Sequence, residues 1–191
     1  MVDVAESLIQ NATELFASRG YDATSVNDIV EAASVTKGAL YYYFDTKEDL
    51  LFAIHQRFIS AEMAQAQKIL AQKLEPVERL RRLIISLIES IAQFRNEVTV
   101  FFREMHRLSP QLFEQVATIR DRYEAIFEQT MRDGQAYGIF RPDCDARLMT
   151  LALFGQCNWT YTWMKMEGPL SPGQIGEQFA DIFLKGVMMP S

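Results

Sequence analysis

Apolar residues recur at three- and four-residue spacing along almost the whole chain, and strand-like alternation is nearly absent. Val4, Leu8, Ala12, Leu15 and Phe16 mark one face of a first helix, which Arg19-Gly20 closes. Thr24 or Ser25 starts a short second helix, with Asp28 in its first turn and Ile29 and Val30 inside. Ala32-Ala33-Ser34-Val35 reads as a tight turn, and Thr36 starts a third helix running to about Tyr43. Thr46 with Asp49 three residues on has the form of a capping box. It opens a long helix with Leu50, Leu51, Ile54, Phe58, Ile59 and Met63 on its apolar face.

Glu75-Pro76 restarts the chain into a stripe of Leu80, Leu83, Ile84, Leu87, Ile88 and Ile91. A helix with Val98, Phe101, Phe102 and Met105 follows and stops near Ser109-Pro110. Leu112, Val116, Ile119, Tyr123, Ile126, Phe127 and Met131 define another long helix, ending around Tyr137-Gly138. A helix from about residue 145 to 166 carries Leu148, Leu151, Trp159 and Trp163. After the loop Gly168-Pro169-Leu170-Ser171-Pro172-Gly173, Ile175, Phe179, Ile182, Phe183 and Val187 mark the last helix. The pattern predicts an all-α chain of about nine helices, without internal repeats.

At 191 residues, with 49% hydrophobic and 23% charged side chains, the chain has an ordinary globular balance, which argues against disorder and low complexity. Cys144 and Cys157 are too few for a disulfide framework or a cysteine-based metal site, and they fit a reducing, cytoplasmic setting. No basic flank precedes an apolar run near the N-terminus, so no signal peptide is read. The apolar stretch 148–166 is interrupted by Gln156, Asn158 and Lys165 and is not expected to span a membrane.

Residues 25–43 have the form of two short helices joined by a four-residue turn. The second reads Thr36-Lys37-Gly38-Ala39-Leu40-Tyr41-Tyr42-Tyr43-Phe44. A helix that reads base edges needs short polar residues and an approachable backbone at its N-terminus, which Thr36, Lys37 and Gly38 supply. Hydroxyls and cations that hold phosphates are available at Tyr41, Tyr42, Tyr43 and Lys47.

Residues 8–51 resemble the DNA-binding domain of TetR-family transcriptional regulators. The resemblance lies in Ala12-Thr13-Glu14-Leu15-Phe16, Arg19-Gly20-Tyr21-Asp22-Ala23-Thr24-Ser25-Val26, Ile29-Val30, Lys37 to Phe44, and Lys47-Glu48-Asp49-Leu50-Leu51. It implies a three-helix helix-turn-helix DNA-binding domain over residues 1–46. It implies a larger helical ligand-binding and dimerisation domain over 47–191, and no enzymatic activity. It also implies a homodimer on a double-stranded DNA operator, released by a small-molecule effector, with no cofactor and no membrane partner. By position it places Thr36, Lys37 and Gly38 at bases, and Thr24, Tyr41, Tyr42, Tyr43 and Lys47 at phosphates. The last two long helices, about 145–166 and 172–188, are implied to pack against their copies.

Phe102 to Pro110, and Asn158 to Trp163 with Gly168-Pro169-Leu170-Ser171-Pro172, are similar to a TetR subgroup that often regulates lipid or sterol degradation and senses acyl-CoA thioesters. The candidate effector contacts are Phe94, Phe101, Phe102, Arg103, Met105, Arg107, Tyr123, Phe127 and Trp159. Arg103 and Arg107, four apart on one helix, read either as a cationic lip or as surface partners of Glu104, Glu97 or Glu114, the commoner fate. Trp159, Trp163, Met164 and Met166 read as core or interface, and His55 and His106 as satisfied or partly exposed histidines. In the tyrosine run, Leu40 and Phe44 are expected inward and Tyr42 and Tyr43 outward.

One property runs against the DNA reading. Residues 1–48 carry three basic and eight acidic side chains, a net charge of −5, whereas phosphate binding favours a basic face. That acidity motivates a scaffold as an alternative. The aromatic- and Met-rich remainder motivates another, an all-α lipid carrier or small enzyme with an apolar cavity. Against the enzyme stands the absence of any acid–base or metal spacing in the sequence.

Overall fold

The computed structural model describes residues 3–165 and 167–189. Among them the chain forms ten α-helices and a short 3₁₀ turn. In order these are α1 (Val4–Arg19), α2 (Val26–Ala32), α3 (Lys37–Tyr43), α4 (Lys47–Leu70), α5 (Pro76–Gln93) and α6 (Arg95–Glu104). The 3₁₀ turn Met105–Arg107 follows, then α7 (Pro110–Ala136), α8 (Ala146–Asn158), α9 (Thr160–Trp163) and α10 (Pro172–Val187). The only β pairing among the described residues is an isolated bridge between Phe140 and Met188. The chain divides into two compact units: Met1–Ile59 with Phe94–Thr118, and Ser60–Gln93 with Ile119–Ser191.

The first unit begins where Asp3 accepts a hydrogen bond from the Ala5 N–H and caps α1. Gly20, at φ +89°, ends that helix in a conformation that a side chain would strain. Leu8, Ala12, Thr13 and Phe16 recur every three to four residues and are buried. They face α2, α3 and α6, with Ile29, Leu40, Val98 and Val100 also in the core. Ser25 and Asp28 form a reciprocal capping box on α2, and Thr46 and Asp49 make the same exchange before α4. Ser34 takes φ +54° in the turn between α2 and α3, where Val35 N–H reaches Val30 O at 2.9 Å.

The second unit is built on α5, whose Leu80, Leu83, Ile84, Leu87, Ile88 and Ile91 are buried and whose main partner is α10. The two helices approach closely at Gly176: a Cβ there would stand 2.8 Å from the Ile85 Cα. Arg81 ties the pair outside the core through Glu177 (2.8 Å) and Asp181 (2.7 Å). A second close fit lies at Gly134 near the end of α7, where a Cβ would fall 2.1 Å from the Phe140 ring. Gly134 O accepts from Ile139 N–H (2.8 Å) and Phe140 N–H (3.0 Å). The strand-like pairing beyond it joins Arg141 N–H to Val187 O (2.8 Å) and Met189 N–H to Ile139 O (3.0 Å).

The all-α expectation holds, with one helix divided. The continuous helix expected over 145–166 breaks at Asn158–Trp159, and Met164 is extended. Two threonines explain it. Thr160 Oγ1 donates to Cys157 O and Thr162 Oγ1 to Trp159 O, both at 2.7 Å, so side chains compete for the carbonyls the helix would use. Met166 lies outside the described residues.

Gly176→Ala forces the α5 and α10 backbones apart and is expected to destabilise the second unit by about 1–3 kcal/mol. Urea unfolding followed by circular dichroism measures it.

Candidate functional site

The N-terminal turn of α3 stands in solvent. Thr36 caps it by accepting the Ala39 N–H at 3.1 Å, and Lys37 and Gly38 are exposed beside it. A Cβ added at Gly38 would meet nothing closer than the Thr36 hydroxyl at 3.8 Å, so this surface is open to an approaching backbone or base. Leu40 is fully buried and fixes the rotation of the helix. Tyr42 is consequently 80% exposed, and Tyr41 and Tyr43 stand about half out. Tyr42 and Tyr43 pack edge to face at 4.9 Å, and Phe44 is half-buried. Thr36, Lys37, Gly38, Tyr41 and Tyr42 are thus exposed along the length of α3.

Thr24 and Lys47 are brought together, but not at the surface. Thr24 is fully buried, and its hydroxyl donates to Gly20 O at 2.8 Å. Lys47 Nζ donates to Tyr21 O (2.8 Å) and Thr24 O (3.0 Å) and lies 4.0 Å over the Tyr21 ring. Both groups expected at phosphates hold the α1–α2 loop. Tyr21 packs edge-on against Phe16, and its hydroxyl is raised above the usual range by burial and by the carboxylates of Glu48 and Asp22.

The acidic residues of this region are mostly engaged. Asp3 and Asp28 cap helices, Glu6 pairs with Arg57 at 2.8 Å, and Asp22 pairs with Arg107. Glu48 accepts the Ser109 N–H at 2.6 Å. The hydroxyl and backbone bonds of Ser25 hold the Asp28 carboxyl below its usual range.

The candidate effector residues are divided between the two units. In the first, Phe94 leans on Phe58 (6.0 Å), and Phe101 sits edge-on between His55 (5.0 Å) and Phe102 (5.1 Å). Met105 is half-buried, and Phe102 and Arg103 are exposed. The cationic lip does not form. α6 ends at Glu104, whose carboxylate accepts the Tyr21 N–H, so Arg107 leaves the helical face and pairs with Asp22. Surface pairing was the expected fate, but the partner lies 85 residues away.

In the second unit, Tyr123 and Phe127 meet Phe154 in a mutually edge-on cluster, with ring centroids 4.8–5.8 Å apart. Trp159 is not part of it: it is 64% exposed, because its helix turns Phe154 and Cys157 inward instead. Leu148, Leu151, Trp159 and Trp163 with Ile182 leave α8, α9 and α10 rich in exposed apolar side chains. A cleft of about 320 Å³ lies between Trp163, Leu170, Ile175 and Phe179, with Lys165 at its edge.

Residues 8–54 match the model of the bacterial regulatory proteins of the tetR family, and residues 73–187 match that of the tetracyclin repressor-like C-terminal domain. The chain belongs to the TetR family. Its curated relatives include the transcriptional repressor KstR2 of Mycolicibacterium smegmatis, 33% identical over 95% of this chain and 89% of that one. The solved ketosteroid transcriptional regulator KstR2 of Mycobacterium tuberculosis superposes with a TM-score of 0.89 at 27% identity, covering 100% and 97% of the two chains. The structure of AibR with isovaleryl coenzyme A and operator DNA gives 0.83 at 26% identity, covering 99% and 100%. This TetR-family chain is therefore a transcriptional regulator by descent, and α2 and α3 lie within the matched N-terminal helix-turn-helix segment. Among the described residues no helix is long and apolar enough to cross a membrane, and no group of three metal-ligating side chains occurs.

Two buried groups escaped the sequence reading. His55 was expected to be satisfied or partly exposed. It is fully buried, and neither ring nitrogen has a hydrogen-bond partner among the described residues. Glu62 is 6% exposed, and its Oε1 also lacks a partner. The signal was present: both occupy the three-to-four-residue stripe that runs through Ile54, Phe58, Ile59, Ala66 and Ile69. Burial lowers the His55 pKa to about 4 and raises that of Glu62 to about 8.

These shifts oppose each other. Between about 4 and the ordinary 6.5 of histidine, the unfolded chain binds the extra proton at His55, and stability rises with pH. Between the ordinary 4.5 of glutamate and about 8, the folded chain binds the extra proton at Glu62, and stability falls with pH. From about pH 6.5 to 8 only the fall remains, on the order of 1.4 kcal/mol per unit. Glu62→Gln is expected to abolish it, as read by urea unfolding at the two ends of that window.

Proposed function

We propose that this TetR-family regulator is a homodimeric repressor that leaves its operator when an acyl-CoA thioester binds. The observation that carries the reading is the exposed N-terminal turn of α3, with Thr36, Lys37 and Gly38 uncovered and the Tyr42 hydroxyl in solvent. Thr36, Lys37 and Gly38 meet base edges, and Tyr41, Tyr42 and Tyr43 meet flanking phosphates. Lys47 and Thr24 act one step back, by holding the loop that positions the helix. Functionally, residues 1–46 read DNA, and residues 47–191 sense the effector and dimerise, within the cytoplasm.

The names of the relatives support the ligand class: one is a ketosteroid regulator and another is solved with isovaleryl coenzyme A. The Tyr123–Phe127–Phe154 cluster offers an apolar seat for an acyl group in the second unit. Dimerisation uses the outward apolar side chains of α8 and α10 against their copies. Release is a population shift: the effector binds more tightly to the form that does not fit DNA, and operator affinity falls by that difference.

Operator binding is tested on the DNA upstream of the protein's own gene by gel shift, with a panel of acyl-CoA thioesters and their free acids. The expected result is release by a thioester and not by its acid. With Lys37 as the one exposed lysine of the reading turn, affinity should fall less than about tenfold between 50 and 200 mM salt, well below the loss expected for six or more phosphate contacts. Lys37→Ala with Tyr42→Phe should weaken binding at least about tenfold. Binding that no thioester releases discards the acyl-CoA assignment, and no binding at low salt favours the scaffold or carrier.

Ile182→Glu places a charge on the 66% exposed apolar position of α10. It is expected to give a folded monomer by light scattering, with operator binding lost. A dimer of unchanged stability overturns the assigned interface.

A further inference from the structure

We propose that the Glu62 carboxyl is the polar recognition group of the effector seat in the second unit, selecting an effector whose apolar part carries an uncharged oxygen acceptor. The inference rests on the reading of the chain as an effector-responsive regulator. Its basis is a juxtaposition. Glu62 is 6% exposed, its Oε1 has no hydrogen-bond partner among the described residues, and it lies within electrostatic reach of the Tyr123 hydroxyl. Tyr123 in turn belongs to the aromatic cluster with Phe127 and Phe154. Native structures rarely leave a buried polar atom unmatched, so such a group near Tyr123 has binding capacity in reserve.

The protonation state sets the specificity. Burial holds the carboxyl pKa at about 8, so at neutral pH the group carries a proton and donates it in a hydrogen bond. Cys157 nearby is also kept protonated, its thiol pushed up to about 12 by burial. A ketone, ester or thioester carbonyl is the complement of a neutral acid in an apolar enclosure. A carboxylate brings a charge to a place where burial alone governs Glu62 and no cation acts on it among the described residues.

The test is isothermal titration of the full chain at pH 7 with 2-octanone and with octanoate. The wild type is expected to bind the ketone at least about tenfold more tightly than the carboxylate. Glu62→Gln, which keeps a donor, should stay within about threefold for the ketone, and Glu62→Leu should lose about tenfold. Infrared difference spectra give a second readout. The protonated carboxyl band, absent in Glu62→Gln, should move to lower frequency when the ketone is added. Equal affinity for the two probes, no binding of either, an unmoved band, or full ketone affinity in a folded Glu62→Leu overturns the inference; an unmoved band means that protein or water already satisfies the carboxyl. Gel shifts of the same proteins without probe separate the two readings. Operator binding retained while the probe results fail removes the Glu62 assignment alone, and no operator binding by the wild type removes the regulator reading.

Discussion

The ammonium of Lys47 is the fixed point of the first unit. It is held by two carbonyls and an aromatic face in a half-buried position, where charge-assisted hydrogen bonds are stronger than in water. The loop it organises, from Gly20 to Thr24, joins α1 to α2 and so sets where α2 begins. The same loop receives two ties from the segment around the end of α6, where Glu104 accepts the Tyr21 N–H and Arg107 pairs with Asp22. A third tie joins that segment to α4, whose Glu48 accepts the Ser109 N–H. Residues far along the chain are thereby part of the frame that carries α3. A change in the end of α6 has a short mechanical route to the loop that precedes α2.

This arrangement also resolves the acidic composition of the first 48 residues. A net negative charge would oppose phosphate binding if it were spread over the reading face. Five of the eight acidic side chains, Asp3, Glu6, Asp22, Asp28 and Glu48, instead cap helices, pair with arginines or accept a backbone N–H. They serve the frame, and the outward turn of α3 is left with Thr36, Lys37, Gly38 and tyrosine hydroxyls.

What was legible in the chain was local. The Gly20 stop, the Ser25–Asp28 and Thr46–Asp49 exchanges and the burial of Leu40 depend on neighbours within four residues, and spacing encodes such relations directly. The family resemblance extended that legibility to the helix-turn-helix fold of the N-terminal segment. What was not legible was set by distant partners. Arg107 finds Asp22 across 85 residues, and Lys47 finds carbonyls 23 and 26 residues back, so neither role can be read from periodicity. The break at Trp159 lies between: its cause is local, two threonine hydroxyls on carbonyls, but a continuous apolar stripe conceals it. Glu62 was visible as a polar residue on an apolar stripe, yet only burial distinguishes it from a charge at the edge of one.

The fit of Phe140 over Gly134 has a consequence for how this sequence can change over evolutionary time. The ring fills the volume that any side chain at 134 would need, and the same residue bridges to Met188 near the end of the described chain. Positions 134 and 140 are therefore not free to drift separately: a methyl gained at the first requires a smaller group at the second. That exchange would in turn loosen the pairing that anchors the end of α10. Three sites scattered over 55 residues thus form one unit of inheritance, and descendants of this chain should keep glycine and the aromatic ring together or replace both.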